Sequence, residues 1–421
     1  MNRFLKTSLR SLVIRTLLAR ERLESGISFS LISPELHADP YRWYRRLQIK
    51  DAVHRSRLFN GWILSKYADV DAVLRDHKRF ANDSNNASDN PLDAQDIPTR
   101  SMLYRDPPDH TRLRSLVSKA FTPRSIDALR PRVEMIVDEL LDSVGDAESF
   151  DVIDALAYPL PVIVIAEMLG IPPEDRDRFR GWSNDVAHSL EPLQSEEDSR
   201  RAQRSVEELR EYLSAIIEQR RLQPRDDLIS ALTAAEDEGD KLTHEELLLT
   251  LVLLLVAGNE TTKNLIGNGL LALLRHPDEL KKLRENPDLI EPAIDELLRL
   301  DSPVQIDGRT ALEDVMIGGK QVKRGQRVVL LIGAANRDPD VFSDPDRLDL
   351  SREAKNHISF GRGIHHCLGA PLARIEGQIA FRKLIERFPD IRLDETPQFR
   401  NQVVLRGMKS LRGCLRSISC R

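Results

Sequence analysis

Apolar positions recur at helical spacing through most of the chain from Pro108 to about Ile290, and Pro159, Pro161, Pro172, Pro173, Gly239 and Pro277 punctuate the run. Within it, Thr243-His-Glu-Glu246 has the form of a capping box and predicts a helix to about Leu274, on the order of 45–50 Å long. Leu247 to Ala257 is apolar almost all round, which predicts burial, and Glu260 follows too closely for a membrane span. Tyr67 to Asp76 reads as a short amphipathic helix, and about Pro371 to Arg387 as the last long one. Val53 to Phe59 and Trp62 to Leu64 flank Asn60-Gly61, a two-residue hairpin signal. Past Arg299 the pattern shortens to β segments, Val315 to Val322 around Gly318-Gly319 and Arg327 to Ile332. Asn82 to Pro108 is polar and long for a plain connection, which marks a functional or a disordered segment. The pattern predicts a mainly α protein with a smaller β-rich region. Residues able to carry chemistry spread from His110 to Cys367, which argues for one large domain over residues 25–421 rather than several.

Residues 1–24 stand apart as a basic amphipathic segment. Arg3, Lys6, Arg10, Arg15 and Arg20 interrupt the apolar positions, so neither a transmembrane anchor nor a secretory signal is expected. A leading helix, packed or resting on an anionic membrane surface, is what remains. Of 421 residues 41% are hydrophobic, ample for a core, and the net charge of −5 gives no electrostatic reason to expect nucleic acid. The three cysteines, Cys367, Cys414 and Cys420, do not form a disulfide framework and suit a reducing, cytoplasmic setting.

The most specific chemistry lies at Phe360-Gly-Arg-Gly-Ile-His-His-Cys-Leu-Gly369. Gly361, Gly363 and Gly369 permit a tight turn close to a flat ligand. The helix that follows would aim free N–H groups at Cys367 and favour its thiolate, a candidate single protein ligand for a metal. Zinc held by His357, His365, His366 and Cys367 is disfavoured, since adjacent histidines rarely meet tetrahedral geometry and no Cys-x-x-Cys accompanies them. Ala257-Gly-Asn-Glu-Thr-Thr262 is a poor choice for a buried helix interior. It reads either as a water-bridged polar kink or as a site where Gly258 loosens the ladder, Thr261 shares its hydroxyl with a ligand and Glu260 relays protons. Glu296 and Arg299, spaced i, i+3, share a helix face, as do His110 and Arg114 at i, i+4.

Phe360, Gly361, Gly363, His365, Cys367 and Gly369 supply every specified residue of the haem-binding loop of the cytochrome P450 family, Phe-Gly-x-Gly-x-His-x-Cys-x-Gly. Residues 257–262 match that family's oxygen-activation motif. The chain therefore resembles soluble bacterial cytochromes P450 over essentially residues 25–421. The resemblance implies haem b ligated by Cys367, with Phe360, Gly361 and Gly258 around it, and Glu260 and Thr261 as the catalytic acid–alcohol pair. It also implies His110, Arg114, Arg309 and His365 as propionate contacts, and Glu296 and Arg299 as a buried structural pair with Arg347 as its third member. It further implies a monooxygenase using O2 and electrons from a separate ferredoxin or flavodoxin, fed from NAD(P)H by a reductase. Arg112 with Arg362 is expected to form a positive patch for that acidic partner.

Two alternatives stay open. A peroxide-driven peroxygenase usually lacks the acid–Thr pair, and a non-catalytic thiolate-haem sensor would not need it. Pocket candidates are the loop from Asn82 to Leu103, with Val256, Ala257, Val304, Ile306, Val403 and Val404. Their aliphatic character suggests an apolar or amphiphilic small-molecule substrate without choosing one.

Overall fold

The computed structural model describes residues 2–31, 33–83, 85, 101–145, 147–191, 195–237 and 242–414. Its axis is the helix His244–Arg275, 32 residues long. The predicted capping box is present: Glu246 N–H donates to Thr243 Oγ1 at 3.2 Å, and Thr243 N–H to Glu246 Oε2 at 2.9 Å. The helix is mostly buried because helices pack against it on several sides: Pro159–Leu169, Arg176–His188 and Glu196–Leu222, then Ile290–Leu300 and Ala370–Arg387. The Gly258 turn does not loosen it. Residues 257–262 remain α-helical, so the glycine clears space without breaking the ladder.

The β-rich part is a five-stranded sheet in the order Val53–Ser56, Gly61–Leu64, Arg327–Leu331, Ile306–Ala311, Phe80–Ala81. All pairs are antiparallel except Gly61–Leu64 with Arg327–Leu331. Gly318 and Gly319 form the predicted turn between Val315–Ile317 and Lys320–Val322. The first hairpin differs from expectation. Its strand ends at Ser56 and the connection is Arg57 to Asn60, four residues rather than two. The buried carboxylate of Glu21 explains this, because it accepts the N–H groups of Arg57 at 2.6 Å and Leu58 at 3.3 Å and draws them off the ladder. Asn60 then takes a left-handed φ of 53°.

Helices and sheet keep separate cores, and a third apolar cluster around Ile27, Phe29, Leu36 and Leu47 ties residues near the N-terminus to the sheet. Cys414 is disulfide-bonded, which the cysteine count did not anticipate. Among the described residues no helix is long and apolar enough to cross a membrane.

Candidate active site

Gly361 and Gly363 take φ values of 69° and 67°, and a Cβ at Gly363 would lie 2.6 Å from the Leu74 carbonyl oxygen. Only glycine fits there. The loop closes where Cys367 N–H donates to the Phe360 carbonyl at 2.8 Å. Cys367 is a free thiol set deep in protein, and its exposed side opens onto a cavity. Burial pushes this thiol up, against the N–H groups of Gly369 and Ala370 and the charges of Arg114 and Arg374. The donors predicted from the following helix are therefore present, but in the protein alone desolvation wins over them. A metal ion bound to the sulfur would favour the thiolate.

The cavity encloses about 2310 Å³. A single small-molecule site usually takes about 300–1,000 Å³, so there is room for a large planar group and a second ligand. The long helix forms the wall with Val256, Ala257, Gly258, Glu260 and Thr261. A Cβ on Gly258 would meet nothing within 4 Å, which leaves this wall flat. Thr261 Oγ1 donates to the Ala257 carbonyl at 2.8 Å, so its lone pairs remain available to the cavity. Phe360, Gly361 and Cys367 belong to the same cavity, as do Leu103, Val304, Ile306 and Val404. Val403 does not. It packs with the Phe29 and Leu36 cluster, because the chain bends at Val403 and Val404, whose N–H groups both donate to the Glu191 carboxylate. Residues 86–100 of the expected pocket loop lie outside the described residues.

At one end of the cavity the structure brings together His110, Arg114, Arg309 and His365. The two imidazoles lie 4.1 Å apart, and His110 Nδ1 and His365 Nε2 are buried without a hydrogen-bond partner. Burial, reinforced by His110, Arg309 and Arg114, drives His365 down to about 3. Arg114 donates to the His366 carbonyl, and Arg309 to Asp307 Oδ1 at 2.8 Å. Orphaned donors and crowded cations call for an anionic group, and a haem with two carboxylates fits this end while its iron would meet Cys367.

Glu296 and Arg299 are fully buried and paired twice, Nε to Oε2 at 2.7 Å and Nη2 to Oε1 at 2.9 Å. The third cation is Arg352, whose Nε lies 3.2 Å from Glu296 Oε1. Arg347 contributes only its carbonyl, which accepts from Arg299 at 3.3 Å. The expected member was thus in the right segment but on the wrong residue. Arg112 is corrected too: Glu246 binds it through both oxygens and Asp109 lies 3.4 Å away. Arg362 is held by Asn356 O and Asp71. Neither offers the uncompensated charge expected of a patch.

Glu260 is buried with both oxygens engaged, Oε1 by Lys263 and Oε2 by Arg400 at 2.8 Å. Burial raises its pKa, but the two cations outweigh that and hold the carboxyl below its ordinary value. Burial brings Lys263 down to about 8 even beside Glu260. Lys263 was findable from its i, i+3 spacing; Arg400, far away in sequence, was not. A further acid, Glu376, lines the cavity from the helix Ala370–Arg387 with Thr262 beside it, and burial lifts it to about 8. Its signal was an acid set between Ile375 and Ile379 on an apolar face.

A family model described as "Cytochrome P450" matches residues 61–409. The chain is 43% identical to polyketide biosynthesis cytochrome P450 PksS of Bacillus subtilis, over 90% of this chain and 96% of that one. It is 42% identical to vitamin D(3) 25-hydroxylase of Pseudonocardia autotrophica, over 90% and 95%. A solved structure of PksS superposes with a TM-score of 0.86 at 43% identity, covering 92% of this chain and 100% of its own.

Proposed function

Because the chain belongs to the cytochrome P450 family, with its haem and O2-dependent oxidoreductase chemistry, we propose that it hydroxylates an apolar small molecule with electrons from a separate ferredoxin or flavodoxin. NAD(P)H feeds that partner through a reductase, and the setting is cytoplasmic. The observation that carries this reading is a free thiol and a helix-borne threonine facing one large cavity. Haem bound there supplies oxygen activation, with thiolate donation favouring O–O cleavage.

The protein's own residues do the rest. Cys367 Sγ would hold the iron, His110, Arg114, Arg309 and His365 would neutralise the carboxylates, and Gly258 leaves the helix wall clear for a flat ring. Thr261 Oγ1 turns from the Ala257 carbonyl to present its proton to the cavity. Beside it the Glu260 Oε1 and Lys263 Nζ pair holds a proton, and the partly exposed Arg400 joins that pair to the outside. The aliphatic wall of Val256, Val304, Ile306 and Val404 excludes water and selects an apolar substrate of considerable size. A peroxygenase or a haem sensor would leave the acid–alcohol pair without a task.

The test is spectroscopic and kinetic. Reduced protein with CO should show the red-shifted Soret band of thiolate ligation, lost in Cys367→His. Oxygen uptake driven by ferredoxin or flavodoxin with its reductase should yield hydroxylated product. Retention of the band in the variant, or product formed from peroxide alone, would overturn the reading.

A further inference from the structure

The helix Asn2–Ser25 lies outside the stretch that the family model matches, and a buried carboxylate fixes it to the sheet. Near its C-terminal end Glu21 is almost wholly buried and acts as a bolt. It accepts from Ser56 Oγ at 3.1 Å and from the N–H groups of Phe29, Arg57 and Leu58, with His54 Nε2 at 3.5 Å. A carboxylate so saturated sets the rotation of the helix about its axis.

That rotation decides what faces outward. At roughly 100° per residue, Leu12, Ala19 and Leu23 fall in one narrow stripe opposite Glu21. Leu12 is 61% exposed and Leu23 88%. Arg15 and Arg22 flank the stripe on one side and Arg20 on the other, all exposed. The first 25 residues contain six basic side chains and two acids. Glu21 is the buried bolt, and Glu24 is neutralised by Arg20 and Arg57, each at 2.8 Å. The outward face is therefore apolar along its centre and positive at its margins. The inner flank matters as well: Val13 and Ile14 line the cavity together with Leu58, Phe59 and residues from Ser195 to Glu207, so the helix borders the cavity's mouth.

We infer that this helix is a peripheral docking element for an anionic membrane surface, lying flat with Leu12 and Leu23 among the acyl chains and its arginines at the headgroups. The charge selects lipid over a second copy of this chain, whose matching face would carry the same arginines and repel it. Docking places the mouth of the cavity at the bilayer boundary, where apolar molecules concentrate.

The experiment uses full-length haem-loaded protein and two vesicle preparations, phosphatidylcholine alone and phosphatidylcholine mixed with phosphatidylglycerol. Co-sedimentation is expected with the mixed vesicles at low salt, falling at least about tenfold in high salt or on pure phosphatidylcholine. The double variant Leu12→Glu, Leu23→Glu should lose binding by a similar factor, and Arg15→Glu, Arg22→Glu should remove the preference for the anionic lipid. Both should keep the haem spectrum of the parent. Absence of co-sedimentation, equal binding by the variants, or a concentration-dependent dimer that these variants dissolve would each overturn the inference.

Discussion

The same motif is used twice in this molecule, to opposite ends. Glu296-x-x-Arg299 and Glu260-x-x-Lys263 are both i, i+3 pairs buried on helices. In the first, the cation is a guanidinium whose donors are all taken: two by Glu296, the others by the carbonyls of Asn336, Pro345 and Arg347. Asp349 N–H at 3.0 Å and Arg352 complete the carboxylate. Such a pair has every donor committed and holds fixed the segment that leads to the cysteine loop. In the second, the cation is an ammonium brought down to about 8, beside a carboxylate at the cavity wall and an arginine that reaches toward solvent. On the proposed mechanism, the chemical difference between Arg and Lys separates a scaffold from a pair able to hold and release a proton.

The largest effect expected from this contrast is on the scaffold. Glu296→Ala leaves Arg299 charged and fully buried, at about 3–5 kcal/mol. Little haem-bound protein should be recovered, and normal haem content and thermal stability would erase the distinction drawn above. Within the same network Arg352→Ala should destabilise by about 1–3 kcal/mol, since it bares one lobe of a buried carboxylate, whereas Arg347→Ala should stay within about 0.5 kcal/mol because only its carbonyl is used. Denaturant midpoints of the two variants side by side decide which arginine is the third member.

On the functional pair the effect is expected in partition of electrons rather than in folding. Thr261→Ala should keep substrate affinity and reductant use but drop product per electron pair several-fold, with hydrogen peroxide rising. Lys263→Met should do so in a pH-dependent way. An ammonium that titrates near 8 stops supplying protons above that value, so the parent's coupling should fall on the alkaline side and the variant's should already be low at pH 7. If Lys263→Met coupled as well as the parent across that range, the lysine would be a structural counter-ion like Arg299.

Much of this contrast was legible in the sequence, though not its distribution. The long helix, its capping box, the cysteine loop and the order of elements followed from local rules: period, caps and glycine geometry act over a few residues. The spacing of Glu296 and Arg299 was visible for the same reason, whereas the burial of the pair was implied only by the family resemblance. What escaped were partners brought in by the fold. Arg352 replaced Arg347 because the turns between Asp338 and Asn356, not spacing, choose which side chain reaches Glu296. Arg400 arrives at Glu260 from the far end of the chain. The hairpin after Val53 was misjudged because Glu21, on a separate helix, captures its amides. Val403 was misplaced because a bend there is set by Glu191, far away in sequence, which captures its amide and that of Val404.

The effect confined to a single pH window is expected at Glu376, and it extends the comparison to a carboxyl with no cation beside it among the described residues. Thr262 is its hydrogen-bonding neighbour, and burial lifts it to about 8 from an ordinary value of 4.5. The folded protein therefore holds a proton there through a pH range in which the unfolded chain has lost it. Stability from this group is present in full below about 4.5 and declines as pH rises through about 8, the reverse of a salt-bridged acid such as Glu260. Glu376→Gln keeps the shape and the hydrogen bond but cannot ionise. Its unfolding free energy should lie close to the parent's at pH 5 and exceed it progressively toward pH 8, by on the order of 3 kcal/mol at the top of that window. Glu260→Gln supplies the opposite sign: it should be less stable than the parent at pH 7, because Lys263 and Arg400 then face each other with no anion between them. A constant offset for Glu376→Gln across the whole range would show that the carboxyl titrates normally, and that water or a cation reaches it within the cavity.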